Sequence, residues 1–325
     1  MSEMFTFAAG DGEITVASRG ARVLNCRVEG LDENTIYDDG KGLGGDRLWI
    51  APEVAFYWPS IEDARTDPKG TTETPADVDP GMYEIEGEAD DAVQLVNSCS
   101  LIDCRDDKAI GLQIKRTIGT APRPEALPDG VKCASFAITN ELRVTGGHAG
   151  AVASAWDILQ VPPTGTLICP TTRRAEPRSY YEPFGNNHVV VEDDAVRFLI
   201  DTKLRVKMGI RPEDTRGCMG YYRPAGDGSS VLIFRTFDVH PDDTYIDIPR
   251  DHPADQRDGG DALQAYNDDL SYGHFGEMEC VFPAVTVGGS ENRKDACATH
   301  VLVGPDDAVC QAGAMLLGVP VSMIK

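Results

Sequence analysis

Residues 271–284 read SYGHFGEMECVFPA, and the middle of this stretch alternates. In an extended chain, successive side chains point to opposite faces. Phe275, Glu277, Glu279 and Val281 therefore share one face, and Gly276, Met278, Cys280 and Phe282 the other. The second face is large and apolar and predicts a strand packed on a core. Glu277 and Glu279 then stand side by side, roughly 7 Å apart at ~3.3 Å per residue. Pro283 has no N–H to give and ends the pairing. Two readings fit: a carboxylate pair placed for acid–base chemistry, or a solvated face carrying two ordinary acids.

The chain around this strand has 325 residues, 41% of them hydrophobic, enough for one large β domain. Its net charge is −23, so a polyanionic backbone is repelled and nucleic acid is excluded as a natural partner. The acids are 34 Asp against 19 Glu and the bases 21 Arg against 9 Lys, a balance suited to a saline cytoplasm or to an ordinary acidic protein. Nine cysteines, an odd number with no CxxC, sit mostly in apolar runs such as CASFAI and TLICP. That usage predicts free, buried thiols in a reducing cytoplasm. No basic, apolar leader opens the sequence, and no run reaches the ~20 apolar residues of a membrane helix.

Short β-type runs dominate from the first residues, broken by Gly, Asp and Asn. Residues 37–53, YDDGKGLGGDRLWIAPE, form a glycine loop leading into a strand; they match neither a P-loop nor a dinucleotide fingerprint. Arg47 and Trp49 share a face of that strand. Such a pair can hold a polar ring, the guanidinium on oxygens and the indole on C–H faces; equally, the Arg stem can lie over a half-buried Trp. Further on, Trp156, Ile158 and Gln160 share a face, as do Arg205 and Lys207. Residues 60–91 and 172–188 read as irregular loops, 220–239 as a hairpin, and 306–318 as a short helix opened by Asp306. The acids of 238–247 lack EF-hand spacing, and no metal site is assigned there. Roughly twenty strands, few helices and no βα alternation predict an all-β fold. The chain is expected to form one large antiparallel β-sandwich spanning residues 1–325, with few short helices.

Five segments, GGDRLWIAPE (44–53), FAITN (136–140), WDILQVP (156–162), RVKMGIRPE (205–213) and EMECVFPA (277–284), together resemble the galactose mutarotase-like, or aldose 1-epimerase-like, class. The likeness is nearest to its uncharacterised microbial branches. It implies a supersandwich fold and a small carbohydrate ligand. It also implies cofactor-free acid–base isomerisation. By position it makes Glu279 or Glu277 the base and Arg47 a sugar-binding residue, with Trp49, Trp156, Gln160 and Lys207 as further contacts. Where the class carries its catalytic His, this chain has Trp156. The acid is then His148, His274 or Lys207, or the protein binds sugar without opening it. His274 stands three residues before Glu277 on a loop, where it either approaches the carboxylates or is simply exposed. A polysaccharide lyase or hydrolase, using Tyr180 and Tyr181, is the third reading.

Overall fold

A computed structural model describes every residue except 1, 61, 63–72, 182, 185–186 and 250–258. Parts of the 60–91 and 238–261 stretches therefore lie outside the described residues. The fold is an all-β sandwich of two ten-stranded sheets. The first runs β1 (Met4–Ala8), β2 (Gly12–Ala17), β3 (Arg22–Val28), β4 (Asp46–Ala51), β9 (Val152–Val161), β18 (Gly276–Val281), β17 (Leu263–Asn267), β14 (Val206–Ile210) and β11 (Arg178–Ser179), with β19 (Val285–Thr286) added beside β9. The second runs β12 (Val189–Val191), β13 (Ala195–Ile200), β10 (Gly165–Pro170), β15 (Cys218–Gly226), β16 (Ser229–Phe237), β20 (Asn292–Pro305), β8 (Lys132–Gly147), β7 (Lys108–Thr120), β6 (Ala92–Asp103) and β5 (Glu84–Glu88). Every strand pairing is antiparallel.

The core lies between the sheets and is built by alternation. Met278, Cys280 and Phe282 point into it, as do Leu159 and Val161 from β9 and Phe136, Ile138 and Leu142 from β8. The run VLIF of β16 does not alternate in character, because both of its faces are covered. Val231 and Ile233 face the core. Leu232 and Phe234 face outward onto α2 (Asp306–Leu317), and a strand buried on both faces reads as continuously apolar. Gly220 of β15 lets the helix come close: a Cβ there would stand 2.7 Å from Leu317.

Two stretches read as loops contain strands. The polar β5 pairs with β6 at the sheet margin, where both faces stay wet and composition gives no apolar signal. The two-residue β11 pairs with β14. Charge also crosses the core. Asp46 and Asp157 from the first sheet meet Arg116 and Arg235 from the second, all four at 0% exposure. Arg116 Nη2 lies 3.0 Å from Asp46 and 2.7 Å from Asp157, and Arg235 Nη2 lies 2.8 Å from Asp46 and also bonds Asp157. Asn140 Nδ2 donates to Asp157 at 2.8 Å.

Candidate functional site

On the outer face of the first sheet the strand register sets side chains in ranks. Trp49, Trp156 and Val281 align across β4, β9 and β18. The next rank holds Arg47, Ile158, Glu279 and Gln264 and ends at Gly209. The following rank holds Gln160, Glu277, Tyr266 and Lys207. Ranks on one face are two residues, or ~7 Å, apart. Residues from four separate motifs thus come together because their strands are neighbours in space.

The face is not solvated. Glu279 is 0% exposed, Glu277 6% and Lys207 2%. Glu279 Oε2 accepts from Trp156 Nε1 at 2.8 Å and lies 3.3 Å from Lys207 Nζ, while its Oε1 is buried with no hydrogen-bond partner among the described residues. Glu277 Oε1 accepts from Arg47 Nη2 at 2.8 Å and Gln160 Nε2 at 3.0 Å. Lys207 also donates to Glu53 Oε2 at 3.0 Å and stands 4.1 Å over the Trp156 ring. The Arg47 guanidinium stacks 4.2 Å from the half-buried Trp49 ring, so it serves both as an ion-pair partner and as an aromatic cover.

Burial pushes the Glu279 carboxyl up to about 8, against the pull of Lys207 and with repulsion from Glu277 and Glu53. Burial raises Glu277 too, with Arg47 opposing. Burial works against the Lys207 ammonium, but Glu279 and Glu53 overcome it and hold Lys207 charged. The two statements agree physically: one ammonium shared by two buried carboxylates leaves one of them short of a counter-charge.

Several residues of this cluster carried no decisive sequence signal. Glu53 opens α1 (Glu53–Phe56), directly after β4. Asp247, fully buried, accepts from the Glu53 N–H at 2.7 Å and from Gln264 Nε2 at 2.7 Å. The Tyr180 hydroxyl stands 2.8 Å from Asp261 Oδ2 and accepts from Gln264 Nε2 at 2.7 Å. Asp261, raised by burial to about 6, pairs with Arg178 at 2.8 Å. Asp247 and Asp261 belong to a stretch that composition marks as a solvated acidic connection; only their contacts reveal otherwise. Gly209 makes room for Asp261 and Tyr180, since a Cβ there would fall 2.1 Å from Asp261 Oδ2 and 2.8 Å from the Tyr180 ring.

Neither His148 nor His274 joins the cluster. His148 lies beyond the start of β9, while Glu279 is level with Ile158, six residues into that strand and roughly 20 Å along it. There His148 pairs with Asp106 at 3.4 Å. His274 is exposed and has no hydrogen-bond partner among the described residues. Asp238, His240 and Asp295 approach one another closely enough for a cation, but Arg293 already holds Asp295 at 3.0 Å. A surface groove of about 480 Å³ lies over β7 and β8 on the other sheet and contains none of the carboxylates above. Beside Glu53, Tyr180 and Tyr181 only about 10 Å³ is open, room for one water at most.

This fold is that of the aldose 1-epimerase and galactose mutarotase-like class. A candidate aldose 1-epimerase from Escherichia coli K12 superposes with a TM-score of 0.57 over 93% of this chain and 99% of its own, at 11% identity. A GalM/aldose epimerase homologue from C. elegans does so with a TM-score of 0.50 over 93% and 99%, at 10% identity. The chain belongs to the family of unknown function DUF6786, whose model matches residues 28–325. No curated protein sequence matches it. No helix among the described residues is long and apolar enough to cross a membrane.

Proposed function

We propose that the protein binds a small sugar on the outer face of the first sheet and interconverts its anomers by cofactor-independent proton transfer. The observation that carries this reading is Glu279, whose Oε2 is clamped by Trp156 and Lys207 while Oε1 is buried and unpartnered among the described residues. Oε1 takes the proton from the anomeric hydroxyl. Lys207 donates to the ring oxygen as the C1–O5 bond opens, and the protons return on closure to the other face. Trp49 and Trp156 offer apolar surface to the sugar's C–H groups, and Arg47 and Gln160 hold Glu277 as a hydroxyl acceptor. A sugar seated here displaces the Glu53 carboxylate from Lys207. Because its carboxylate neighbours hold Lys207 charged, it is a reluctant acid, and turnover is slower than with an imidazole.

General acid–base groups contribute about 10²–10⁴-fold each. Glu279→Gln is therefore expected to cut the polarimetric rate of aldose anomerisation by about that factor while leaving the unfolding midpoint near its original value. If Glu279→Gln and Glu277→Gln both retain full activity, the assignment fails.

A second reading, sugar binding without catalysis, is favoured by one observation: Trp156 donates to Glu279 and no described imidazole reaches the carboxylates. Binding of aldoses without any acceleration of anomerisation decides for it. Chain cleavage of a polysaccharide fits less well, because the Tyr180 hydroxyl is committed to Asp261 and Gln264 inside the protein.

A further inference from the structure

We propose that Arg205 receives an anionic group of the ligand, so that the sugar bound beside Glu279 carries a carboxylate or a phosphate. The inference rests on the sugar-site reading above. Arg205 lies two residues before Lys207 on the same face, one rank further along, at ~7 Å. Its guanidinium carbon stands 4.6 Å from the Tyr181 ring and 5.2 Å from the Tyr272 ring. Stacking occupies the faces of the guanidinium and leaves its donor edges to bind in the plane. Nε and Nη1 are shielded from solvent and have no hydrogen-bond partner, and Arg205 makes no ion pair among the described residues.

Its neighbours differ in this respect. Arg47 is paired with Glu277, Lys207 with Glu53 and Glu279, Arg178 with Asp261, and Arg22 with Asp79. In a chain of 53 acids and 30 bases, a shielded arginine without a carboxylate is out of character. Desolvated charged donors are costly unless something accepts from them, and a planar fork suits the paired oxygens of a carboxylate or phosphate. The place is also connected to the reacting end. The Tyr181 hydroxyl stands 3.3 Å from Glu53 Oε1, next to Lys207. In this arrangement the sugar ring lies beside Lys207 and Glu279, and its anionic substituent extends toward Arg205.

The test compares a neutral hexose, the corresponding uronate and the corresponding hexose phosphate, by calorimetric binding and by anomer exchange. With intact protein one of the two anionic sugars is expected to bind roughly 10- to 100-fold more tightly than the neutral one, and the uronate and phosphate arms decide which anion it is. Arg205→Gln is expected to remove that preference, and Arg205→Lys to restore only part of it, because an ammonium is not a fork. Equal affinity of the intact protein for all three sugars, or a preference that survives Arg205→Gln, overturns the inference. The comparison on intact protein decides the case should Arg205→Gln fail to fold. If the anionic sugar binds through Arg205 but no sugar is anomerised, the enzymatic reading falls and this one stands. If neutral sugars are bound equally well and anomerised, the reverse holds.

Discussion

In the proposed reaction Glu279 sets the pH dependence. Its carboxyl, raised by burial to about 8, must be ionised to accept a proton. Activity is therefore expected to appear as pH rises through about 8 and to be lost below it. Lys207→Met removes the cation that favours the charged form, so this limb should move to higher pH and sugar binding should weaken. Rate profiles of the two proteins measured in parallel check this, and coincident limbs would show that Lys207 does not act on Glu279. The stability sign follows from the same residue. A carboxyl raised in the folded state binds more protons there than in the unfolded chain, so its contribution to stability falls as pH climbs from its ordinary range toward 8. Alternation places Glu279 opposite Met278 and Cys280 from sequence alone. It says nothing of what covers the outward face, and the covering residues Glu53, Asp247 and Tyr180 come from distant parts of the chain.

At the scale of elements, β14 shows how a strand that looks ordinary is shaped by its neighbours. VKMGI alternates legibly, with Val206, Met208 and Ile210 in the core. Gly209 looks like a defect in the strand, since glycine weakens a strand interior. Its reason lies in Asp261 and Tyr180, packed where a side chain would stand. Gly209→Ala is expected to destabilise the protein by roughly 1–3 kcal/mol, as overpacking does, and to disturb the Asp261–Arg178 pair. A denaturation midpoint unchanged by Gly209→Ala would refute the account. The VLIF run of β16 and the helix that follows β20 were readable as elements. That one lies on the other was not, because an apolar run does not say which of its faces meets a helix and which a sheet.

For the whole molecule, the sandwich, the strand count and nine cysteines held outside disulfides follow from composition and period. The charged group inside the core does not, since Asp46, Arg116, Asp157 and Arg235 look in sequence like surface residues on half-exposed strands. Burial, together with repulsion from Asp157, raises Asp46 to about 7, whereas Arg235 and Arg116 overcome burial and hold Asp157 low. Arg116→Met leaves these carboxylates short of a counter-charge, and a loss of about 3–5 kcal/mol is expected in chemical denaturation. A loss below about 1 kcal/mol would mean that the group relaxes without it.

The alternation of β4, β9 and β18 also bears on how such a protein changes through descent. Residues proposed to meet a ligand and residues that hold the sheets together occupy separate, interleaved positions on the same strands. Arg47, Trp156 and Glu277 can be exchanged while Leu48, Asp157 and Met278 stay as they are. A lineage can thus acquire a new ligand by changes confined to every second residue and keep an intact interior throughout. Such a history would leave an architecture recognisable where sequence identity is low, as it is between this chain and the epimerase-like proteins whose fold it shares.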